Sequence, residues 1–229
     1  MANPKVRKRI YQFDNNIKLI AILRNPIDRL KSAYFHSMNY GFTPVLPLNI
    51  GIKKIISGKL LTKYPRSSEL LEFGFYAKYL KEYINNFDDQ VLVLFFDELK
   101  KDKLSMIKKC YSFLGIDNNY VPDEKFLNSR PQKVNYSLMR TALIRLKNRH
   151  RFKYNDTNTR LFAKQKTKLD RLICRAIDKV DNRILSKFFY KNNKPSFNKE
   201  VKEKLIEIYK PDILELEKIL GIDLSEWRI

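Results

Sequence analysis

Two runs of consecutive apolar residues stand out along the chain, Leu19–Leu23 and Val91–Phe96. Neither run alternates with polar residues, which is typical of strands that are covered on both faces of a parallel sheet. We therefore predict a strand at each run, the second one extending over residues 90–96. Arg24 follows the first run directly, and two carboxylates follow the second.

A helix is predicted immediately after the first strand, over residues 26–39. Asn25 can cap it, and Pro26 suits the first helical position because a backbone N–H there has no partner inside the helix. The free N–H groups of a helix N-terminus and an adjacent guanidinium offer an anion two kinds of donor. Arg24 supplies the guanidinium, and Ser32 adds a hydroxyl within the first two turns. The segment therefore predicts a phosphate-binding site.

Apolar residues at helical spacing predict further helices on either side of the second strand. Four residues before it form a stripe that we expect in the core rather than in a binding site. They are Tyr76, Leu80, Tyr83 and Phe87. After the strand, Asp97 is expected to cap a helix over residues 99–114, which Gly115 ends. This capping role accounts for Asp97 without assigning it to catalysis.

The two ends of the chain also show helical patterns. A short helix is predicted over residues 1–13. Near the other end, Asn198 is expected to cap a helix that breaks at Lys210 and Pro211, and Gly221 is expected to end a second one. Trp227 is expected to seal the core.

Residues 137–151 and 158–185 predict two basic helices. We expect their apolar stripes to pack on the sheet domain, with the lysines in water. The alternative is that such basic amphipathic helices lie on a membrane or on nucleic acid. The stripe of the second helix consists of Leu161, Leu169, Leu172, Ile173, Ile177 and Ile184.

Positive charge is concentrated in the same part of the chain. The formal net charge is +21, and residues 130–195 carry 19 Lys and Arg against 4 Asp and Glu. Residues 1–129 carry 21 against 13, and residues 196–229 carry 6 against 8. A stretch this basic attracts polyanions in a salt-dependent way. We expect either an acidic glycan acceptor or a nucleic acid partner.

The remaining composition indicates a globular protein with a core of ordinary size. No apolar run approaches the ~20 residues that a membrane span needs, and the first residues do not form a signal peptide. Cys110 and Cys174 are expected to be free thiols in a reducing compartment, so a cytoplasmic location is predicted. With two histidines in the chain, no zinc-ligand cluster is evident and no metal is expected.

The Arg24 segment closely resembles the 3'-phosphate-binding motif of the sulfotransferases that use 3'-phosphoadenosine 5'-phosphosulfate (PAPS). The motif reads roughly L-R-N-P-x-D-R-x-x-S-x-Y, and the chain matches it at eight positions. These are Leu23, Arg24, Asn25, Pro26, Asp28, Arg29, Ser32 and Tyr34. The resemblance implies that Arg24 and Ser32 hold the 3'-phosphate of the nucleotide.

The resemblance covers most of the chain and fits poorly at residues 40–70 and 130–195. Residues 126–133 stand where many of these enzymes place a basic loop over the nucleotide, which implies Arg130 and Lys133 as further cofactor contacts. The usual glycine of that loop is absent, and solvated charges are the alternative interpretation. By position, Phe42, Tyr64 and Arg66 are possible acceptor contacts.

The other signature of the family, a K-x-G-T-T loop that cradles the 5'-phosphosulfate, does not occur among the 229 residues. Residues 1–13 instead resemble the helix that precedes the Arg24 strand in the family. We therefore expect a P-loop NTPase-like sulfotransferase fold, α/β with a three-layer parallel sheet, truncated at its N-terminus. The catalytic lysine and base are expected upstream of the chain, so no catalytic residue is assigned and the chain is expected to be inactive alone.

We predict a single sulfotransferase-like domain over residues 1–229. It would comprise an α/β core (1–129), a basic helical region (130–195) and C-terminal helices (196–229). The resemblance implies transfer of a sulfuryl group from PAPS to a hydroxyl or amine of a glycan or small molecule, with a carbohydrate as the expected acceptor. The alternative is a non-catalytic remnant that binds nucleotide or a polyanion.

Overall fold

The structure is a computed structural model that describes residues 4–123, 125, 135–185 and 194–229. The chain divides into two compact units. The first unit comprises Met1–Asp28, Phe75–Gln132 and Ile208–Ile229, and the second comprises Arg29–Gly74 and Lys133–Glu207. The predicted single domain and its three regions stay a prediction.

Helices dominate both units. In chain order the α-helices are α1 (Pro4–Phe13), α2 (Pro26–Asn39), α3 (Leu48–Ile56), α4 (Glu69–Glu72), α5 (Tyr76–Phe87), α6 (Phe96–Lys101), α7 (Lys103–Leu114), α8 (Leu138–Arg151), α9 (Lys168–Val180) and α10 (Lys199–Leu220). Short 3-10 turns at Pro65–Ser67, Asp88–Gln90 and Ser225–Arg228, and a π-helical turn at Asp181–Leu185, complete them. Helix α2 has the predicted bounds.

A parallel sheet of two strands, β1 (Leu19–Leu23) and β2 (Val91–Phe95), lies in the first unit. The register pairs Leu19 with Val91 and Leu23 with Phe95. Both predicted strands and the α/β class with a parallel sheet are confirmed. Because parallel strands end at the same edge, the residues that follow Leu23 and Phe95 start from neighbouring positions.

The expectation that β1 is covered on both faces is wrong. Ile20 and Ile22 are 40% and 53% exposed, whereas Leu23 is buried. Successive side chains of a strand point to opposite faces, so the two isoleucines share one face. Among the described residues, that face of the strand is not packed against a covering layer.

The helix after β2 starts earlier than predicted and is interrupted. Helix α6 begins at Phe96, and Asp97 lies within it, paired with Lys100 at 2.6 Å. Asp102 instead caps the N-terminus of α7, where its Oδ1 accepts from the Ser105 N–H at 2.9 Å. The predicted capping role of Asp97 is therefore wrong, because Asp102 starts a separate helix. Gly115 ends α7 in the left-handed conformation, as predicted.

The long C-terminal helix α10 is continuous, so the predicted break at Lys210 and Pro211 is wrong. An internal proline removes one backbone hydrogen bond. The helix compensates by burying an apolar stripe on both sides of the proline. Its fully buried members are Val201, Leu205, Tyr209, Ile213 and Leu216. Asn198 caps the helix as predicted, accepting from the Val201 N–H at 3.0 Å.

Asp212 of α10 ties this helix to α5 in the first unit. Its two carboxylate oxygens accept from the backbone N–H groups of Ala77 and Lys78, each at 3.0 Å. A carboxylate in this position satisfies N–H groups that a helix start leaves without partners. The predicted stripe of α5 is buried, and Trp227 packs on Tyr76 and on Phe95 as a core residue.

In the second unit, Tyr34 of α2 is fully buried and donates to the carbonyl oxygen of Leu46 at 2.9 Å. Burial raises the pKa of its phenol. Gly51 of α3 lies against the ring: a Cβ at this position would be 1.8 Å from the Tyr34 Oη. Only glycine therefore allows this approach of the two helices.

The basic region contains a hairpin that the sequence did not predict. Ser137 caps α8, accepting from the Arg140 N–H at 3.3 Å. Strands β3 (Phe152–Tyr154) and β4 (Leu161–Ala163) then pair antiparallel, and α9 starts only at Lys168. The prediction of a helix from residue 158 is wrong, because the side-chain amide of Asn155 stabilises a turn between the two strands. It accepts from the Thr159 and Arg160 N–H groups, each at 2.8 Å.

Ion pairs connect α9 and the turn after it to α8. Asp178 accepts from Lys147 at 2.6 Å, and Arg140 binds Asp181 through two nitrogens. The nearly buried Asp170 accepts from His150 at 2.9 Å and also binds Lys164 and Thr167. These hydrogen bonds, that of His150 first, lower the pKa of the Asp170 carboxyl. The acidic side chains of α9 thus point toward α8.

Candidate functional site

The candidate site lies at the carboxyl edge of the sheet, where Arg24 follows β1. The Arg24 guanidinium lies 5.2 Å from the centre of the Phe96 ring and 3.5 Å from the Asp28 carboxylate. Its side chain is 28% exposed, and its Nε atom is buried without a hydrogen-bond partner among the described residues. A buried guanidinium nitrogen that lacks an acceptor is a costly arrangement unless a ligand supplies one.

The N-terminus of α2 is organised differently from the sequence expectation. The Asn25 Oδ1 accepts from the N–H groups of Ile27 and Asp28, at 2.9 and 3.4 Å. Asn25 is thus the predicted cap, but it occupies backbone donors that we expected an anion to use. The helix dipole still favours negative charge here, whereas the direct donors are those of Arg24.

Ser32 lies in the second turn of α2 and is partly buried. Its hydroxyl has no hydrogen-bond partner among the described residues, so it is available to a ligand. Arg29, another residue of the motif, instead donates to the carbonyl oxygen of Leu70 in the second unit. The joint action of Arg24 and Ser32 on a phosphate stays a prediction. Arg130 and Lys133 lie outside the described residues, and their role also stays a prediction.

Phe96 and Lys100 are parts of the site that the sequence reasoning missed. The Lys100 ammonium lies 4.7 Å from the centre of the Phe96 ring, so this ring contacts two cations, Arg24 and Lys100. Lys100 also pairs with Asp97. The signal was present in the sequence, since Arg24 directly follows the first predicted strand and Phe96 is the last residue of the second. Pairing the two strands in parallel, with their carboxyl ends side by side, would have placed Arg24 near Phe96.

A second cluster surrounds the residues proposed for acceptor contact, all within the second unit. The Arg66 guanidinium lies 4.3 Å from the centre of the Phe42 ring and pairs with Glu69 at 2.7 Å. Arg145 donates to the Thr43 carbonyl at 2.9 Å and lies 5.9 Å from the centre of the Tyr64 ring. The cluster joins aromatic faces to guanidinium groups. Its role in acceptor binding stays a prediction.

Other kinds of site are not evident in the described part of the chain. No group of three or more His, Cys, Asp and Glu there could hold a metal ion. Cys110 and Cys174 are both free thiols. No helix among the described residues is long and apolar enough to cross a membrane.

Comparisons with known proteins all identify similarity to one family, the sulfotransferases. A sequence model of the sulfotransferase domain matches residues 5–219. Sulfotransferase 2A6 of Mus musculus is 30% identical over 118 residues, which cover 49% of this chain and 35% of that protein. Sulfotransferase 2A2 of Rattus norvegicus is 28% identical over 144 residues, which cover 58% of this chain and 46% of that protein. The matches thus span less than half the length of either relative.

Among solved structures, the sulfotransferase from Alicyclobacillus acidocaldarius is similar, with a TM-score of 0.59 at 20% sequence identity. The alignment covers 97% of this chain and 62% of that one. This similarity confirms the sulfotransferase fold that the Arg24 motif predicted.

Proposed function

The chain belongs to the sulfotransferase family, and on that premise we propose that its Arg24 segment binds the 3'-phosphate of PAPS. The protein would transfer the sulfuryl group of PAPS to a hydroxyl or amine, with a carbohydrate as the acceptor. The observation that carries the proposal is the Arg24 guanidinium, which lies beside Phe96 and Asp28 at the carboxyl edge of the sheet with its side chain 28% exposed. Phosphate oxygens are acceptors that suit the accessible N–H groups of a guanidinium.

In this proposal the residues of the site position the nucleotide and do not take part in bond making. PAPS supplies the activated sulfuryl group when it is bound. Arg24 neutralises the 3'-phosphate, and the Ser32 hydroxyl donates to it, so that the nucleotide is fixed in one orientation. Phe96 and Asp28 hold the guanidinium in place. Arg130 and Lys133 would add charge on the same phosphate.

The acceptor would contact Phe42, Tyr64 and Arg66. Flat aromatic faces beside guanidinium groups suit the apolar faces and the hydroxyls of a sugar. The stacking of Arg66 on Phe42 supports this choice, because it fixes both groups in one arrangement.

Binding of the donor product tests the nucleotide site directly. We expect 3'-phosphoadenosine 5'-phosphate to stabilise the chain by about 2.7 kcal/mol at about 100 times its Kd, which raises the Tm by several degrees. Arg24→Ala should abolish this shift, and Ser32→Ala should reduce it. The matched control is Lys101→Gln, which removes an exposed charge in the same unit. An equal shift in the Arg24→Ala variant would overturn the assignment.

The competing function is nucleotide binding without catalysis. It would use the same Arg24 guanidinium at the carboxyl edge of the sheet. Both functions predict the same melting shift, and they differ in turnover. Incubation with sulfur-labelled PAPS and a panel of glycans separates them, because only an active transferase moves the label to an acceptor. Transfer of the label by this chain would exclude the non-catalytic alternative, whereas a shift without transfer fits both functions, because no catalytic residue is assigned in this chain.

A further inference from the structure

Helix α9 displays two parallel rows of side chains along its length. Lys168, Arg171, Arg175 and Lys179 form one row, which we call the cation row. Leu169, Leu172, Ala176 and Val180 form the next row, which we call the apolar row. Both follow the spacing i, i+3, i+7, i+11, so each row runs straight along one side of the helix. The two rows are adjacent because each apolar residue directly follows a cation.

The apolar row is exposed, and its members Leu169 and Leu172 are therefore not packed as expected from the sequence. Leu169 and Leu172 are 65% and 64% exposed, and Val180 is also exposed. The helix packs instead through Asp170, Cys174 and Ile177, which are buried on its other side. The predicted stripe therefore divides into a buried part and an exposed part.

The cation row has no counter-charge within the described part of the chain. None of its four members has an ion pair there. The carboxylates of the same helix are already engaged, Asp170 with His150 and Asp178 with Lys147. Like charges at i and i+4, such as Arg171 and Arg175, destabilise a helix when no carboxylate intervenes. A bound anion would remove that repulsion.

A basic pocket opens beside the cation row and strengthens the argument. It has a volume of about 260 Å³ and is lined by Arg151, Lys166, Arg171, Cys174, Arg175 and Asp178. Asp178 is neutralised by Lys147, which leaves four cations facing the pocket. That number of cations suits a phosphate group.

We propose that α9 docks the protein on an anionic lipid surface. The apolar row lies in the interface between headgroups and acyl chains, and lipid phosphates bind to the cation row and the basic pocket. A helix with adjoining apolar and basic faces is typical of interfacial binding. Charge complementarity and exposed leucines select the same surface of the same helix.

The combination favours lipid over other polyanions. Nucleic acid or an acidic glycan would use the cations, but neither would require exposed leucines beside them. The lining of the basic pocket also contains no aromatic side chain on which a base would stack. The proposal is independent of nucleotide binding at Arg24.

Vesicle co-sedimentation of the full chain tests the proposal. We expect binding to phosphatidylcholine vesicles that contain phosphatidylserine, and little binding to phosphatidylcholine alone. The double variant Arg171→Gln, Arg175→Gln should bind about 25-fold more weakly, because each cation lost raises the Kd about fivefold. Leu169→Ser with Leu172→Ser should weaken it at least about tenfold. Lys101→Gln with Lys108→Gln makes the same change of net charge elsewhere and should leave binding unchanged.

Heparin and single-stranded DNA, used as competitors, complete the experiment. Unfolding curves check that each variant keeps the stability of the original chain, as expected for exposed positions. Equal binding to neutral and anionic vesicles would overturn the proposal. So would full binding by the leucine variant, since the cations alone would then explain the interaction. Binding of heparin or DNA without vesicle binding would identify a polyanion site instead.

Discussion

The guanidinium of Arg24 lies over the ring of Phe96, 5.2 Å from its centre. This contact follows from the register of the sheet, because Leu23 is paired with Phe95 and the next residue on each strand leaves the same edge. The ring and the Asp28 carboxylate therefore hold a cation at the end of a parallel sheet. Open α/β sheets bind their ligands at this edge.

Replacing Phe96 should weaken nucleotide binding without removing it. In Phe96→Leu the guanidinium loses a cation–π contact of about 0.5–1 kcal/mol, so the Kd for 3'-phosphoadenosine 5'-phosphate should rise about two- to fivefold. Isothermal titration measures the change. Phe113→Leu is the matched control, because the Lys18 ammonium lies 5.5 Å from the centre of the Phe113 ring in the same unit. An equal effect of both substitutions would argue against a specific role for Phe96.

Gly51→Ala should destabilise the second unit. The new Cβ would lie 1.8 Å from the Tyr34 Oη and 2.4 Å from its Cζ, so a buried ring must move. We expect a loss of about 1–3 kcal/mol in the free energy of unfolding. Urea unfolding measures it, with Ile50→Ala on the exposed side of α3 as control. Unchanged stability of Gly51→Ala would show that the two helices do not approach closely.

Asp212 should make stability fall as the pH rises. Burial raises the pKa of its carboxyl, and the hydrogen bonds from backbone N–H groups at the start of α5 offset this only in part. The folded state then binds more protons than the unfolded state, so the contribution is complete below about pH 4 and is lost above it. Relative to Asp212→Asn, the original chain should lose stability from about pH 4 upward in urea titrations. The opposite slope would contradict this assignment.

Asp170 should show the reverse dependence. Hydrogen bonds from His150, Thr167 and Lys164 lower the pKa of its carboxyl, so the folded state binds fewer protons. Its contribution is present above about pH 4 and disappears as the pH falls further. The stability advantage of the original chain over Asp170→Asn should therefore shrink in acid. A difference that stays constant between neutral pH and about pH 3 would show that the carboxylate charge is not involved.

The elements around the site could be predicted because their signals are local. The apolar run of β1, the cap at Asn25 and the proline at position 26 lie within a few residues of each other. They fix the strand, the start of α2 and the position of Arg24 without tertiary information. The contact with Phe96 needed the pairing of two strands that are far apart in sequence, and periodicity does not supply that pairing.

The errors share a physical origin in contacts beyond the local pattern. Pro211 predicts a break, but burial of Tyr209 and Ile213 on one face keeps α10 continuous. The hairpin after α8 depends on the Asn155 side chain, which organises the turn between two three-residue strands. Strands of three residues are too short to show an alternation of polar and apolar side chains. The helical spacing of the neighbouring residues therefore predicted a helix across the second strand.

The most direct test of the nucleotide site is the ratio of two dissociation constants, for adenosine 5'-phosphate and for 3'-phosphoadenosine 5'-phosphate. We predict that the original chain prefers the nucleotide with the 3'-phosphate by about 10- to 100-fold, the contribution of hydrogen bonds to a charged group. In Arg24→Ala most of this preference should be lost, and what remains is the contribution of Ser32, Arg130 and Lys133 to the same phosphate. A preference of unchanged size in that variant would contradict the claim that Arg24 recognises the 3'-phosphate.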